Sequence, residues 1–275
     1  MKPRILIAAL LAFGLSIGTP QAQMLQSIVN ANPPAAAGGC STATTVLAGM
    51  SLTGTSTTGN KGYYTTFICG LVTDGTWSLF DVIYIFGTQD ATNALINVAN
   101  PGTNNAGTTG SPAFTAYKGY ASLNSGSLTS INSSAGTNFV QNSASTGIWE
   151  GSTSSAPTYG ITGSDSDNVS TAANYFASTS CDIFDSSAIN GSSNGVGLTA
   201  CNRSGILSAQ VYLNGVGIGT NTTFTSAASS GVNAVTSGNA GPIIAAWFFG
   251  GSLTSTQHGT VYNRFNTLLT ALGSN

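Results

Sequence analysis

The 275-residue sequence predicts an all-β domain: an antiparallel sandwich with one helix near its start and another capping its end. Three observations predict it. From Pro112 onward, short β-prone runs recur with turn residues between them, the pattern of consecutive strands paired antiparallel in two stacked sheets. Asn214-Gly215 separates Gln210-Val211-Tyr212-Leu213 from Val216-Gly217-Ile218-Gly219, and Asn-Gly supplies the positive φ that a type I′ hairpin turn needs. Val82-Ile83-Tyr84-Ile85-Phe86 is a continuous β-branched and aromatic run, the composition of a strand buried on both faces.

Taken in order, the chain opens on an export signal. Lys2 and Arg4 precede an apolar run from Ile5 to Ile17, and Thr19-Pro20-Gln21-Ala22 forms a small, polar exit. This is the layout of a secretory signal peptide cut after Ala22. The run is too short to span a bilayer, and no later run is long enough. Residues 1–22 are therefore expected to be removed, leaving a product that is secreted, periplasmic or at the cell surface and does not span the membrane. Residues 23–62 read as a linker-like lead, with Pro33-Pro34-Ala35-Ala36-Ala37-Gly38-Gly39 as linker chemistry and residues 53–60 as turn chemistry. Residues 63–275 form the sandwich domain.

Within it, Tyr64, Phe67, Ile68, Leu71 and Val72 recur at helical spacing and predict a helix from Tyr63 to about Thr73, stopped at Gly75. A second helical turn is expected near residues 91–95. Candidate strands are 113–117, 127–131, 138–149, 158–162, 181–184, 195–201, 209–213, 216–219 and 243–249, and Asn190-Gly191 and Ser204-Gly205 are read as turns between strands. The final helix opens on Thr254-x-x-Gln257, a capping-box pattern, carries Val261, Phe265, Leu268, Leu269 and Leu272 as its apolar stripe, and stops at Gly273.

Composition narrows the function classes. Charged residues are only 5% of the chain, yet 41% is hydrophobic and 9% aromatic, so polarity is carried by hydroxyls and amides on a chain able to bury a core. After signal removal the basic residues are Lys61, Lys118, Arg203 and Arg264 against eight acids. Four scattered cations cannot follow a phosphate backbone, which argues against nucleic acid as a partner. The four cysteines, Cys40, Cys69, Cys181 and Cys201, suit disulfides in an oxidising compartment. Three pairings exist; Cys181 and Cys201 fall in consecutive predicted strands, which favours Cys181–Cys201 with Cys40–Cys69.

Several segments bring a known fold family into view. Gly250-Gly251-Ser252-Leu253-Thr254-Ser255-Thr256-Gln257-His258-Gly259-Thr260-Val261-Tyr262 resembles the closing motif of concanavalin A-like and laminin G-like jelly rolls, where a core strand runs into a short helix. Tyr212-Leu213-Asn214-Gly215 is similar to a strand–turn of the same domains. Phe80-Asp81-Val82-Ile83-Tyr84-Ile85-Phe86, with Ser111-Pro112-Ala113-Phe114-Thr115-Ala116, resembles an uncharacterised bacterial and phage-associated group. The resemblance covers about residues 63–273. It implies a jelly-roll fold and an association with surfaces or phage tails, and no established reaction.

Catalytic chemistry finds little support in the sequence. Glycoside hydrolysis needs two carboxylates at a set separation. Glu150 is the only glutamate and has no acid two residues to either side, while Asp182 and Asp185 are three apart and so point to opposite faces of a strand. His258, the only histidine, reads as an exposed residue in the first turn of the last helix, and no Gly-x-Ser-x-Gly elbow precedes a helix to supply it with an activated serine. Catalytic residues are therefore expected to be absent. Trp149 is expected to end a strand before a loop, and Tyr159 and Tyr175 to lie near loops; these three are the candidate ligand-binding aromatics. Asp165, Asp167 and Asn168 gather oxygen ligands in one stretch, the one place where calcium could act as a cofactor; no other cofactor is implied. The expected function is a secreted binding module without catalytic activity, its partners glycans or cell-surface components. The alternatives are a structural or adhesive envelope or phage-tail-like protein, and a glycoside hydrolase or lyase on the same fold.

Overall fold

The computed structural model describes residues 39–121, 126–130, 138–140, 142–151, 158–162, 169–175, 178–182, 189–191, 196–221, 233–237 and 243–274. The export signal, the Pro-rich part of the lead and the Asp165, Asp167 and Asn168 stretch lie outside the described residues.

The described part of the lead is built into the domain. Helix α1 (Ser41–Ala48) buries Ala43, Val46 and Leu47, one helical face, against helix α2 (Gly59–Thr73). Cys40, at the start of α1, is disulfide-bonded to Cys69 of α2. Because that bond closes a loop with a sequence separation of 29, replacing both cysteines by serine is expected to cost about 3–4 kcal/mol, read as a lowered urea midpoint; an unchanged midpoint would show that α1 contributes nothing to the cooperative unit.

Helix α2 starts four residues before the expected Tyr63 and buries Tyr64, Phe67, Ile68 and Leu71 of the predicted stripe, while Val72, its last member, is only partly buried. It stops as expected: Gly75 is left-handed with φ 68°, its N–H returns to Val72, and that of Thr76 returns to Leu71. Strand β1 (Phe80–Ile85) follows, then the single turn α3 (Ala91–Ala94), capped by the Asp90 carboxylate on the Asn93 N–H.

The strands pair into two sheets, every described pairing antiparallel. The larger runs in spatial order through β13 (Val216–Asn221), β12 (Ser208–Leu213), β11 (Gly197–Gly205), β6 (Ala144–Glu150), β15 (Ile244–Gly250), β4 (Gly119–Ala121) and β3 (Ala113–Thr115), with β1 also paired to β15. The smaller runs through β10 (Ile189–Gly191), β9 (Ser178–Asp182), β8 (Val169–Tyr175), β7 (Thr158–Thr162), β14 (Asn233–Ser237), β5 (Gly126–Ser130) and β2 (Ala106–Gly110). From β5 onward the chain switches repeatedly between the sheets, which is how it weaves a sandwich.

Helix α4 (Ser255–Leu272) closes the domain and adds a third layer. Alternation along the central strands of the larger sheet serves both of its faces. Ile83, Ile85, Trp149, Ala246 and Phe248 pack toward the helices, where Phe265 of α4 meets Phe67 of α2 edge-on at 5.0 Å. Val82, Tyr84, Ile148, Trp247 and Phe249 form a second cluster on the other face, with Ala106 of β2, in the smaller sheet, packed against it. Residues 82–86 are thus buried on both faces, as their composition predicts. Among the described residues no helix is long and apolar enough to cross a membrane.

Turns divide into those the sequence shows and those it hides. Asn214 and Gly215 have φ 50° and 79°, the type I′ geometry expected of Asn-Gly. Asn190 and Gly191, read as a turn, belong to strand β10. Ser204 and Gly205 belong to β11; the turn that follows is Ile206-Leu207, two apolar residues each 51% exposed. Arg203, itself buried, holds this tip by donating to the carbonyls of Gly205 and Ile206. Cys181 and Cys201 are not on consecutive strands: β10 intervenes, and the two positions lie in different sheets. Cys201 is buried and disulfide-bonded; the side chain of Cys181 lies outside the described residues.

Candidate functional site

The helical layer does not cover the whole outer face of the larger sheet. On β12, Ser208, Gln210 and Tyr212 share one face, because alternate residues of a strand point the same way. Asn202 of β11 stands directly opposite Gln210 in the strand register, with Ser204 two residues further along. Tyr212 is covered by α4, whose His258 ring stacks on the Tyr212 ring with centroids 3.8 Å apart and planes 15° apart. Beyond the start of α4 the same face is open. The result is a cleft of about 310 Å³ lined by Asn202, Ser204, Ser208, Gln210 and Tyr212 from the sheet and by residues 252–255 from the segment entering the helix.

Local bonding decides what this cleft presents. The Asn202 side-chain carbonyl accepts from the Leu253 N–H at 2.7 Å, which fixes the orientation of its amide. The Gln210 carbonyl accepts from the Tyr212 hydroxyl at 2.8 Å. Both amides therefore have their acceptor oxygen engaged. Neither Asn202 Nδ2 nor Gln210 Nε2 has a hydrogen-bond acceptor among the described residues, so each is available as a donor. Ser204 and Ser208 hydroxyls pair at 2.9 Å across the strand ends, and Ser252 pairs with Ser143. At the helix start, Thr254 and Gln257 complete the predicted capping box, and the Thr254 and Gln257 N–H groups are satisfied by it. No residue lining the cleft carries a charge. Burial raises the Tyr212 phenol, keeping it protonated.

His258 differs from its expected exposure. It is 1% exposed, because the start of α4 lies against the β12–β13 hairpin: a Cβ on Gly215 would come within 2.7 Å of the Gly259 α-carbon. Neither ring nitrogen has a partner among the described residues, and burial pushes the imidazole down to about 3. It is neutral at ordinary pH and shielded from solvent.

The aromatics singled out in the sequence lie on strands of different sheets, Trp149 in the larger and Tyr159 and Tyr175 in the smaller. Trp149 is 3% exposed and stacks on Tyr262 of α4, at 5.7 Å between centroids. It was expected at a loop edge, but β6 continues to Glu150 between β11 and β15, so Trp149 sits inside a central strand and belongs to the core. Tyr159 and Tyr175 lie on β7 and β8 of the smaller sheet. Glu150 is fully buried at the end of β6. Among the described residues no group of three or more His, Cys, Asp or Glu side chains converges as a metal site. Asn202 and Gln210 went unnoticed in the sequence. The one signal was the period of two in Ser208, Gln210 and Tyr212, which marks a polar strand face without saying what lies over it.

No family model matches the sequence, and no curated protein sequence matches it. Solved structures do. Domain 4 of AbnA, an extracellular arabinanase from Geobacillus stearothermophilus, was solved with arabinotriose. It matches 66% of this chain and 97% of its own length at 17% identity, with a TM-score of 0.42. The binding domain of botulinum neurotoxin serotype D matches 68% of this chain at 11% identity and a TM-score of 0.50, and that of serotype G matches 66% at 12% and 0.48. The chain spans about half the length of the toxin domains it matches, at 51% and 50%. At these identities the likeness is one of architecture: the chain shares the β-sandwich fold of the serotype D binding domain.

Proposed function

We propose that this chain is an exported carbohydrate- or surface-binding module that binds without turnover, and that the uncharged cleft at the start of α4 is its binding site. The observation that carries this reading is the cleft's chemistry. Two amide groups and several hydroxyls line a concave surface beside an aromatic ring, the combination that hydrogen-bonds a polyhydroxylated ligand. A binding role agrees with a fold shared with a toxin binding domain. Export agrees with the Cys40–Cys69 disulfide and with the signal-like residues 1–22. The single histidine, neutral and sealed beneath Tyr212, is poorly placed for general base chemistry.

The test is a glycan array probed with the mature protein, followed by titration calorimetry of any hit. Gln210→Ala is expected to weaken binding about tenfold, the loss of one hydrogen bond to the ligand, with a small fall in melting temperature because the Tyr212 hydroxyl loses its acceptor. Silence across a broad panel, or full affinity in Gln210→Ala, would remove the cleft as the site.

The exposed Ile206-Leu207 tip favours a second reading, an adhesive or structural surface protein. Light scattering separates the two: an adhesive role predicts self-association that Leu207→Ser abolishes.

A further inference from the structure

The start of α4 is fastened to the sheet by one side chain. Of residues 255–260 only His258 is buried, whereas the later turns bury Phe265, Leu268, Leu269 and Leu272 among others. The His258 ring lies on Tyr212, and the backbone beside it passes close against Gly215 of the β12–β13 turn. Gly259 follows at once, and glycine weakens a helix interior, so the helix is least stiff next to its anchor. The segment entering the helix has one further hold, the buried Leu253, whose N–H donates to Asn202. Residues 252–255 form one wall of the cleft, and Tyr212, beneath His258, belongs to the other.

This anchor is a basic group with nothing to hold its proton. Both ring nitrogens are buried without a partner. Among the described residues, β12 brings Tyr212 as its one titratable side chain, and β13 brings none. The cation of β11, Arg203, is engaged at the Ile206-Leu207 tip. Glu150 of β6 follows Trp149 in the strand and so points to the face away from α4. On α4 itself Tyr262, one turn on, stacks on Trp149. Burial alone acts on the imidazole, and a proton is accommodated only when the ring leaves Tyr212.

Resting on the reading of this cleft as the binding site, we propose that acid regulates it: protonation of His258 traps the start of α4 lifted off the β12–β13 hairpin, drawing residues 252–255 away from the cleft. In the closed form the imidazole stays neutral down to about 3, and in the open form it titrates near its ordinary 6.5. Opening therefore takes up a proton. Its equilibrium is nearly flat above pH 7.5 and rises as the pH falls through 6.5, to about 30-fold higher at pH 5. Ligand held in the closed cleft and a proton on His258 oppose each other by linkage.

Hydrogen exchange of the full mature chain at pH 7.5 and 5, corrected for intrinsic rates, tests this without a ligand. The N–H groups of residues 258–262 are expected to exchange through a local opening that low urea barely changes and that acid populates about 30-fold more. Those of β15 should remain better protected and respond to urea as global unfolding does. His258→Phe should remove the acid rise at residues 258–262; His258→Leu serves if that variant folds poorly, and the urea dependence of the parent decides without either. The proposal is overturned by a rise below about threefold, by a rise that persists in a non-titrating variant, or by a urea dependence at residues 258–262 equal to that of β15. A ligand from the array should suppress the opening at pH 5. A silent array, or a ligand that leaves the opening unchanged, removes the cleft as the binding site and with it the regulation, even where the acid opening itself is observed.

Discussion

Lowering the pH from about 7.5 to 5 is expected to destabilise the protein, and His258→Phe is expected to abolish that loss. In the fold, burial holds the His258 imidazole at about 3, while in the unfolded chain it returns to its ordinary value near 6.5. Between those values the unfolded state binds the additional proton, so stability is complete above 6.5 and declines as the pH falls toward 3. The slope approaches about 1.4 kcal/mol per pH unit, which amounts to about 2 kcal/mol between pH 6.5 and 5. Phe preserves the ring stacked on Tyr212, removes both unpartnered nitrogens and cannot titrate. Its stability at neutral pH should equal or exceed that of the parent.

Asp90 does not confuse this measurement. Burial pushes its carboxyl up, but the Asn93 N–H, the side-chain amides of Gln89 and Asn93, and the Thr92 N–H outweigh burial and hold it below the usual 3.8. Its contribution is therefore lost only as the pH falls through that lower range, beneath the window used for His258. Urea unfolding at several pH values settles the matter. A parent protein with pH-independent stability from 7.5 to 5, or a Phe variant with the same slope as the parent, would refute the account of His258.

The second large effect is expected at the joint between α2 and α4. Arg264, 4% exposed, donates from Nε and a terminal nitrogen to the two Asp74 oxygens at 2.7 and 3.0 Å. Asp74→Ala leaves the guanidinium buried without its anion and should cost about 3–5 kcal/mol. Replacing both partners, Asp74→Ala with Arg264→Met, should recover most of that loss, because the buried charge is gone. Gly70→Ala provides a geometric check on the same joint. Helix propensity alone would make it stabilising by about 1 kcal/mol. However, a Cβ there would lie 2.7 Å from Arg264 Nε and the guanidinium carbon, so the side chain must leave Asp74 to make room. A net loss is expected, measured by denaturant unfolding. A stabilised Gly70→Ala, or an Asp74→Ala variant within about 0.5 kcal/mol of the parent, would show that the ion pair contributes little.

The strands that the sequence hides share one trait. β2, β8, β10 and β14 are built mostly from Gly, Ala, Ser, Thr and Asn, and β4 is only Gly119-Tyr120-Ala121. They lack a run of branched or aromatic side chains, so neither period nor composition separates them from turns. Backbone pairing with a neighbour, as of Tyr159 with Ala172 or Thr236 with Tyr159, makes them strands. Conversely, β1, β15 and the stripe of α4 were legible because continuous burial demands continuous apolar residues. The candidate site had the opposite character. Asn202 and Gln210 are ordinary polar residues on their own strands, while Trp149 looked available because its position in the chain precedes Gly151-Ser152-Thr153.

By itself, the sequence determined the β-sandwich class, the Asn214-Gly215 hairpin, the capping box and stop of the last helix, and its buried stripe. These depend on local φ, local hydrogen bonds and periodicity, which neighbouring residues decide. Only the tertiary structure decided that His258 is sealed, that Trp149 belongs to the core, and that Asn202 and Gln210 line a cleft beside a helix start. Each of those depends on which distant segment covers a residue, and coverage is set by the packing of layers that no short stretch of chain encodes.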